Sequence, residues 1–501
     1  MRHNSGLALF TYLIIGFLVF HSALRIGFLG DFAGDLYQSQ NNWFNFAQYE
    51  WNFYVPVMAI YDVLYRIFHL NPLPYHGLHL SLIFINAWLV YLLAQELKFE
   101  LWQCWLAGLL ALFNSTAFEA YFWLSTIPKA LTTGFGLVAL IFLTRLRQTR
   151  ASIWGWGYLI MVSLGMSLES LGLILPLMGL CLDTYYQPWR ATGTDKATPI
   201  SGLRLHFWSF GIAGIFLIIR HFLGIKPYVI NMPMIKKLFT LTRTISSTFF
   251  HGLSEPSIFS VNGSIPVSII LSLVVLTLLM CAYYVKQGPD RRRFVALLLL
   301  WIGACLPHTI GANFQSRYLY FPGIFAALVL ADLLGALRTR LYARKSAWLF
   351  ISLVIAGYLT TDLHAFHQSL SYYMDATRIY DAGIKKIRSS FPEIPAGTRL
   401  VLIDFPDSIK RPRNSHHDQR GRQRILVYRN GLPCHLSLLY SNSNISVTFL
   451  KLSITNDNDN PDPLGTPASP EQLVKLLAVP HTAALRYLPE NPENFVIIQE
   501  P

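Results

Sequence analysis

The chain has 501 residues, of which 53% are hydrophobic and only 13% are charged, and its formal net charge is +13. Soluble domains carry about 25% charged residues, so this composition excludes an ordinary soluble protein and predicts a polytopic membrane protein. Much of the positive charge lies in loops beside apolar segments, where it meets anionic lipid headgroups, and it does not indicate a nucleic-acid partner. The five cysteines lack metal-binding spacing and are interpreted as packing residues.

Apolar segments recur through the first part of the chain and are separated by short polar loops. The first of them follows Arg2 and is typical of an uncleaved helix. Together the segments predict about eleven transmembrane helices, although several are shorter than the roughly 20 residues of a full span. The predicted spans are 7–24, 76–95, 101–116, 126–144, 153–168, 170–184, 205–224, 265–285, 294–311, 318–337 and 346–361.

Arginine clusters follow alternate segments, at 145–150, 291–293 and 338–345. Loops on the cytoplasmic side of a membrane collect Lys and Arg. A further apolar stretch, 53–70, decides the topology. If it spans the membrane, the three arginine clusters lie outside. If it lies on the outer surface as an amphipathic helix, all three clusters are cytoplasmic. We therefore predict a multi-pass protein of the plasma (inner) membrane with a cytoplasmic N-terminus and with 53–70 on the outer surface.

The composition changes after residue 361. Residues 1–361 are predicted to form the membrane domain, with an outer loop and surface helix at 30–75, and residues 362–501 a small extracytoplasmic α/β domain. The fold class is thus an α-helical polytopic membrane protein with a soluble C-terminal domain. In that domain a helix over 362–391 is followed by strand-like runs at 400–403, 425–428 and 445–450.

The predicted topology gathers ionisable residues at the outer face of the membrane. Charge at helix ends and at the edge of the membrane is costly unless it is paired or used, so these side chains are candidates for a functional site. The candidates are Asp31, Asp35, His76, His79, Glu119, Lys129, Glu169, His308 and Arg317.

Short stretches around these residues occur in a fixed order along the chain: 31–35 (DFAGD), 54–56 (YVP), 75–79 (YHGLH), 118–123 (FEAYFW), 167–169 (SLE) with Pro176 and Asp183, 316–322 (SRYLYFP) and 402–407 (LIDFPD). As an ordered set they resemble the GT-C class of polytopic glycosyltransferases, nearest to the protein O-mannosyltransferase-like branch and its bacterial relatives. The departures include Val55 in place of an arginine, Leu168 in place of a lysine, and three residues between Asp31 and Asp35, where the two acids are adjacent in many relatives.

The resemblance implies transfer of a sugar from a polyprenyl-phosphate carrier to a hydroxyl acceptor in a protein, lipid or glycan. It implies a general base in the acidic residue after the first span, which is Asp35 here, with Asp31 as the second choice. A guanidinium suits phosphate through forked hydrogen bonds, which favours Arg317. The other candidates are predicted to assist in binding the substrates, and Asp31 with Asp35 are also candidates for holding a divalent cation, as acidic pairs do in some relatives.

Each candidate also has a structural interpretation. Asp31 or Asp35 can cap a helix. The histidines, His308 included, can serve helix packing, Glu119 and Glu169 can form ion pairs, and Arg317 can anchor the protein at the interface. The basic tract 410–429 is either a solvated loop or a contact for anionic headgroups or glycans. Two other functions stay open, a lipid-linked glycan polymerase or ligase and a lipid or glycan transporter.

Overall fold

The computed structural model of the protein is mostly helical. It describes residues 4–41, 55–186, 203–222, 234–249, 265–311, 316–341, 345–395, 397–410, 424–428, 431–440, 445–452, 462–463, 466–488 and 495–499. The basic tract at 410–429 lies largely outside these residues, so the two interpretations of it stay predictions.

Each of the eleven apolar segments falls on a helix. Among the described residues, five helices are long and apolar enough to cross a membrane by length and composition, at 5–25, 72–96, 124–149, 203–222 and 317–338, and three shorter apolar helices lie at 152–168, 170–186 and 274–284. The exact number of spans stays a prediction. The helices are α1 (Asn4–Phe20), α2 (Phe32–Asn41), α3 (Val55–Phe68), α4 (Pro72–Glu96), α5 (Leu101–Leu112), α6 (Glu119–Phe122), α7 (Ile127–Thr149), α8 (Ser152–Leu168), α9 (Leu175–Tyr186), α10 (Leu203–Phe222), α11 (Met234–Phe249), α12 (Ile265–Val285), α13 (Gly288–Gly311), α14 (Tyr320–Leu341) and α15 (Lys345–Ser390).

Helices α1 and α4 pack antiparallel. Near one end Phe20 stacks on Phe84 with ring centroids 6.1 Å apart. Eight residues earlier in α1 and seven residues later in α4, Tyr12 lies against Tyr91 with ring centroids 6.3 Å apart. The start of α1 and the end of α4 therefore lie on the same side of the bundle. The placement of 53–70 on the outer surface stays a prediction. With 14 residues α3 is about 21 Å long, shorter than the roughly 30 Å of a hydrocarbon core.

Ion pairs join the helix ends on the side where α4 ends. Two buried carboxylates each hold two bases: Asp183 pairs with Arg147 and His206, and Asp332 pairs with Lys286 and Arg293. Pairing of this kind offsets the cost of burying the acids. Further pairs there include Arg145 with Glu96 and Arg338 with Glu100, so residues from all three arginine clusters meet on one side of the protein.

This arrangement makes the topology testable at Gln148, which is exposed near the end of α7. A cysteine at position 148 is expected to resist a membrane-impermeant thiol reagent added to intact cells, because the prediction places this end of α7 in the cytoplasm. It should react after the membrane is permeabilised. Labelling of position 148 in intact cells would contradict the predicted orientation.

Helix α11 has no counterpart among the predicted segments. Most of the buried side chains described on it are hydroxyl residues, including Thr240, Thr244 and Thr248, with Phe249 at its end. The hydroxyls of Thr244 and Thr248 donate to carbonyl oxygens one turn earlier in the same helix, and the Thr248 hydroxyl also accepts from the indole of Trp301 at 3.3 Å. Local bonding of this kind lets a polar face pack inside a bundle, where a search for apolar runs does not find it.

The C-terminal residues form two sheets and two short helices beyond α15. The larger sheet has the strand order β6-β4-β1-β7-β8, with only the β7–β8 pair antiparallel, and the smaller has the order β3-β2-β5. The three predicted strand segments overlap β1, β3 and β4. The elements are β1 (Arg399–Ile403), β2 (Pro406–Lys410), β3 (Arg424–Leu426), α16 (Gly431–Leu439), β4 (Ser446–Lys451), β5 (Asp462–Pro463), β6 (Thr466–Pro467), α17 (Pro470–Leu477), β7 (Thr482–Tyr487) and β8 (Phe495–Gln499).

Candidate functional site

The two acids after the first apolar helix lie on the first turn of α2. Gly30, with φ +66°, makes the turn that leads into this helix, a conformation that favours glycine. The backbone amides of Gly34 and Asp35 then donate to the carbonyl oxygen of Asp31 at 2.8 and 3.2 Å. Residues four apart lie on one face of a helix, so a spacing of four keeps Asp31 and Asp35 together as an acidic pair.

Asp35 is a half-buried carboxylate surrounded by protein atoms. The pKa of Asp35 is raised to about 7: desolvation by burial raises it most, the Ser125 hydroxyl opposes the shift, and the negative charge of Asp31 adds to it. A carboxylate with a pKa near neutrality can both accept and release a proton at physiological pH. Asp35 therefore has the protonation behaviour that a general base requires.

Two further elements contribute residues to the site, α6 and the 3₁₀ turn Ser316–Leu319. The backbone amide of Arg317 donates to Glu119 Oε2 at 3.2 Å. The guanidinium of Arg317 lies over the ring of Trp123, 4.3 Å from its centroid, and it interacts electrostatically with Glu119 and Asp31. The structure thus brings Arg317 to the acidic pair from a part of the chain almost 300 residues away.

Lys129 and Glu169 form an ion pair beside Arg317. Lys129 Nζ donates to Glu169 Oε1 and lies 5.0 Å from the centroid of the Tyr318 ring. The guanidinium of Arg317 lies 5.3 Å from the centroid of the same ring. Glu169 sits at the end of α8 and is 5% exposed, and its Oε2 atom is buried without a hydrogen-bond partner among the residues described. The pair with Lys129 gives Glu169 a structural role in this conformation.

The two histidines of α4 lie behind the acidic site. His76 and His79 are fully buried, and His79 Nε2 is 3.4 Å from the hydroxyl of Thr126. The ring of His76 lies beside the backbone of Gly27 and Ile26. In this conformation the histidines are closed off from solvent and from a substrate. The side chain of His308, near the end of α13, lies outside the described part of the structure.

Asp31 and Asp35 also remain the candidates for holding a cation. Within the residues that the structure describes, no group of three or more His, Cys, Asp or Glu side chains is placed to hold a metal ion. Mg²⁺ is nevertheless commonly held by one or two protein carboxylates together with substrate phosphates and water. The acidic pair fits that second arrangement, in which the substrate completes the site.

Three side chains of the site were not found from the sequence. Ser125 lies near Asp35 on the turn after Trp123, and Tyr318 lies between the cationic side chains of Lys129 and Arg317. Cys434 belongs to α16 and lies near the acidic pair. A serine, a tyrosine and a lone cysteine form no motif. The only available signal was that Cys434 is the single cysteine in the predicted soluble region.

Comparisons with known proteins give a structural likeness and no match in sequence. The chain is similar to the oligosaccharyltransferase of Archaeoglobus fulgidus solved with a tethered acceptor peptide that contains the NVT sequon, with 14% identity and a TM-score of 0.48 over 79% of this chain and 61% of that one. The apo form of the same enzyme gives 14% identity and a TM-score of 0.45 over 79% of this chain and 62% of that one. The chain thus spans about three fifths of the length of the structures it matches.

No family model and no curated protein matches the chain. With TM-scores below 0.5, the likeness to the oligosaccharyltransferase carries no argument about chemistry. The geometry of the residues themselves therefore has to support any functional conclusion.

Proposed function

We propose that the protein is an inverting glycosyltransferase that moves a sugar from a polyprenyl-phosphate carrier to a hydroxyl acceptor at the extracytoplasmic face of the membrane. One observation carries the proposal: a carboxylate with a pKa raised to about 7, Asp35, and a guanidinium, Arg317, belong to one cluster at the end of membrane-length helices. A base for the acceptor and a cation for the leaving phosphate are the two groups that this reaction requires.

In the proposed reaction, Asp35 takes the proton of the acceptor hydroxyl. The acceptor oxygen forms a bond to the anomeric carbon while the bond from that carbon to the phosphate oxygen breaks, and the polyprenyl phosphate leaves with the electron pair. Arg317 donates hydrogen bonds to the departing phosphate, and charge-assisted bonds of this kind strengthen as negative charge develops.

A divalent cation at Asp31 and Asp35 would help to neutralise the same phosphate. The two roles of the acidic pair differ in their response to chelation. Transfer that survives EDTA assigns the pair to proton transfer, while loss of transfer on EDTA and its return with added Mg²⁺ assigns it to the cation as well.

The proposal is tested with the purified full chain in liposomes that contain a polyprenyl-phosphate hexose with a radiolabelled sugar. A panel of carriers that differ in the sugar is offered together with a membrane extract as the source of acceptors. Transfer of label from the carrier to the extract supports the proposal. The Asp31→Asn/Asp35→Asn double variant is the negative control, and equal transfer by this variant would contradict the proposed site.

The transfer rate is expected to rise with pH between about pH 6 and about pH 8. The pKa of Asp35 is raised to about 7, so the carboxylate is largely protonated below that pH and cannot accept a proton, and it becomes active as the pH rises through this value. The measurement is kcat/KM against pH with a saturating acceptor. A rate that stays constant from pH 5 to pH 8 would remove Asp35 from the role of base.

A further inference from the structure

A buried carboxamide joins the two segments of chain that meet at Arg317. Asn114 lies directly before the 3₁₀ turn Ser115–Ala117, and its Nδ2 atom donates to the carbonyl oxygen of Leu319 at 3.3 Å. A carbonyl oxygen only accepts, so the amide nitrogen faces Leu319. The Oδ1 atom then faces Thr116, whose hydroxyl donates to it at 2.7 Å. Both ends of the carboxamide are bonded, and this gives the Asn114 side chain a single orientation.

Gly323, in the first turn of α14, makes room for this contact. Residues four apart are neighbours on a helix surface, so position 323 lies beside the Leu319 carbonyl oxygen. A Cβ atom at Gly323 would overlap the carboxamide of Asn114. The contact therefore needs an amide on one segment and a glycine on the other.

The same two segments supply the contacts of Arg317. Its backbone amide donates to Glu119 Oε2 at 3.2 Å, and its guanidinium lies over Trp123, 4.3 Å from the ring centroid. Both partners belong to the segment that begins at Asn114, while Arg317 lies two residues before the carbonyl oxygen that Asn114 holds. The carboxamide contact thus fixes one segment against the other, and with it the place of the guanidinium.

We propose that Asn114 and Gly323 are positioning residues that aim the guanidinium of Arg317 at the phosphate of the carrier. This inference rests on the proposed function, in which Arg317 binds that phosphate. Forked hydrogen bonds to phosphate need a guanidinium that points in the right direction. Loss of the carboxamide contact therefore weakens carrier binding although every charge of the site stays in place.

A second contact of the same kind lies twelve residues further along α14, about 18 Å from the first. The Nε2 atom of the buried Gln103 donates to the carbonyl oxygen of Ala331 at 3.0 Å, and its Oε1 atom accepts from the Glu100 amide at 2.9 Å. A Cβ atom at Gly335 would overlap the Gln103 carboxamide. This pair packs α14 in the same way but at a distance from Arg317, so it is the matched control.

The first experiment needs neither carrier nor enzymatic activity. Amide hydrogen exchange of the full chain is followed by mass spectrometry in peptides that cover 316–320, because exchange reports local opening. Asn114→Leu keeps the size of the side chain and removes both hydrogen bonds, and Gly323→Ala displaces the carboxamide. Exchange is expected to become several-fold faster in both variants. Gln103→Met and Gly335→Ala are expected to leave exchange at 316–320 unchanged.

A variant that fails to fold does not leave the proposal untested. If Gly323→Ala does not fold, Asn114→Leu reports on the same contact from the other segment. If neither folds, Thr116→Val frees the Oδ1 end of the carboxamide, which then turns away from Leu319 in part of the molecules. A smaller increase in exchange, again confined to 316–320, is expected in that variant.

The second experiment is a double-mutant cycle on the affinity for polyprenyl phosphate. Asn114→Leu alone is expected to bind the carrier about 2- to 12-fold more weakly, the size of effect for one hydrogen bond. In the Arg317→Ala background the same substitution should have no further effect, because it acts through Arg317. A merely structural role would lower the affinity equally in both backgrounds. Gln103→Met should leave the affinity unchanged even where it lowers the Tm as much as Asn114→Leu does.

The outcomes separate the two proposals. Faster exchange in Asn114→Leu and Gly323→Ala, with no carrier binding by the wild type, keeps the contact that fixes Arg317 and overturns the proposed function. Carrier binding that depends on Arg317, with unchanged exchange at 316–320 or an equal loss of affinity in both backgrounds, keeps the proposed function and overturns the role of Asn114 and Gly323. An equal loss of affinity in Gln103→Met would overturn that role as well.

Discussion

Replacing Asp35 by Asn is expected to lower turnover by about 10²–10⁴-fold while the donor still binds. Asn keeps the shape of the side chain and can hydrogen-bond to Ser125, but it cannot take the proton of the acceptor. Asp31→Asn should cost less if Asp31 only holds the turn that begins α2. If the two carboxylates share the proton, both substitutions should lower turnover equally, because neighbouring acids titrate as a pair.

The matched control for this prediction is Asp62→Asn. Asp62 lies near α2 as well, but its partners are Gln40 and the exposed Arg66, and an exposed ion pair contributes about 0–1 kcal/mol. Turnover of this variant should stay close to that of the wild type. Turnover and carrier binding are both measured in liposomes, with equal amounts of folded protein. Full turnover in Asp35→Asn would show that the base is another group.

The Arg317→Ala variant is expected to bind polyprenyl phosphate about 10- to 150-fold more weakly, which corresponds to the loss of about 1.5–3 kcal/mol for a hydrogen bond to a charged group. Arg317→Lys should recover only part of the affinity, because a lysine has the charge without the fork of donors. Lysine also stacks less favourably on the ring of Trp123, which holds the guanidinium in place.

Binding of the carrier is measured by titrating polyprenyl phosphate into the purified protein. Arg66→Ala is the control, since the Arg66 side chain is 73% exposed and its loss removes only a surface ion pair. Equal affinity in wild type and Arg317→Ala would make Arg317 an anchor at the membrane interface. A loss of affinity in Arg66→Ala of the same size would point to a general effect of charge at this face.

The parts of the fold that the sequence predicted are those governed by long apolar runs. The eleven segments became helices because about 20 apolar residues in lipid must satisfy their backbone hydrogen bonds internally. Helix α11 was missed for the opposite reason, since most of the buried side chains described on it are hydroxyl residues, and those of Thr244 and Thr248 bond within the helix. A helix is described at Val55–Phe68, inside the predicted stretch 53–70. Its placement on the outer surface, which the positive-inside pattern indicates, stays a prediction.

The candidate site could be predicted in part. The spacing of Asp31 and Asp35 and the placing of Arg317 on one predicted face were enough to propose that they meet. The burial of His76 and His79, the pairing of Lys129 with Glu169 and the approach of Cys434 depend on tertiary packing, which a local pattern does not report. Only a fold brings residues 35, 317 and 434 together.

Helix α15 runs for 46 residues without a proline, about 69 Å, and so exceeds the thickness of a hydrocarbon core by more than a factor of two. Outside the predicted span, its Thr377 hydroxyl accepts a hydrogen bond from the Gly27 amide at 3.0 Å, just before the acidic turn. A transmembrane helix tilts when the bilayer becomes thinner. A change in the tilt of α15 would move Gly27 through this hydrogen bond. Because the length of the lipid acyl chains sets the bilayer thickness, assays of this protein have to hold that length constant.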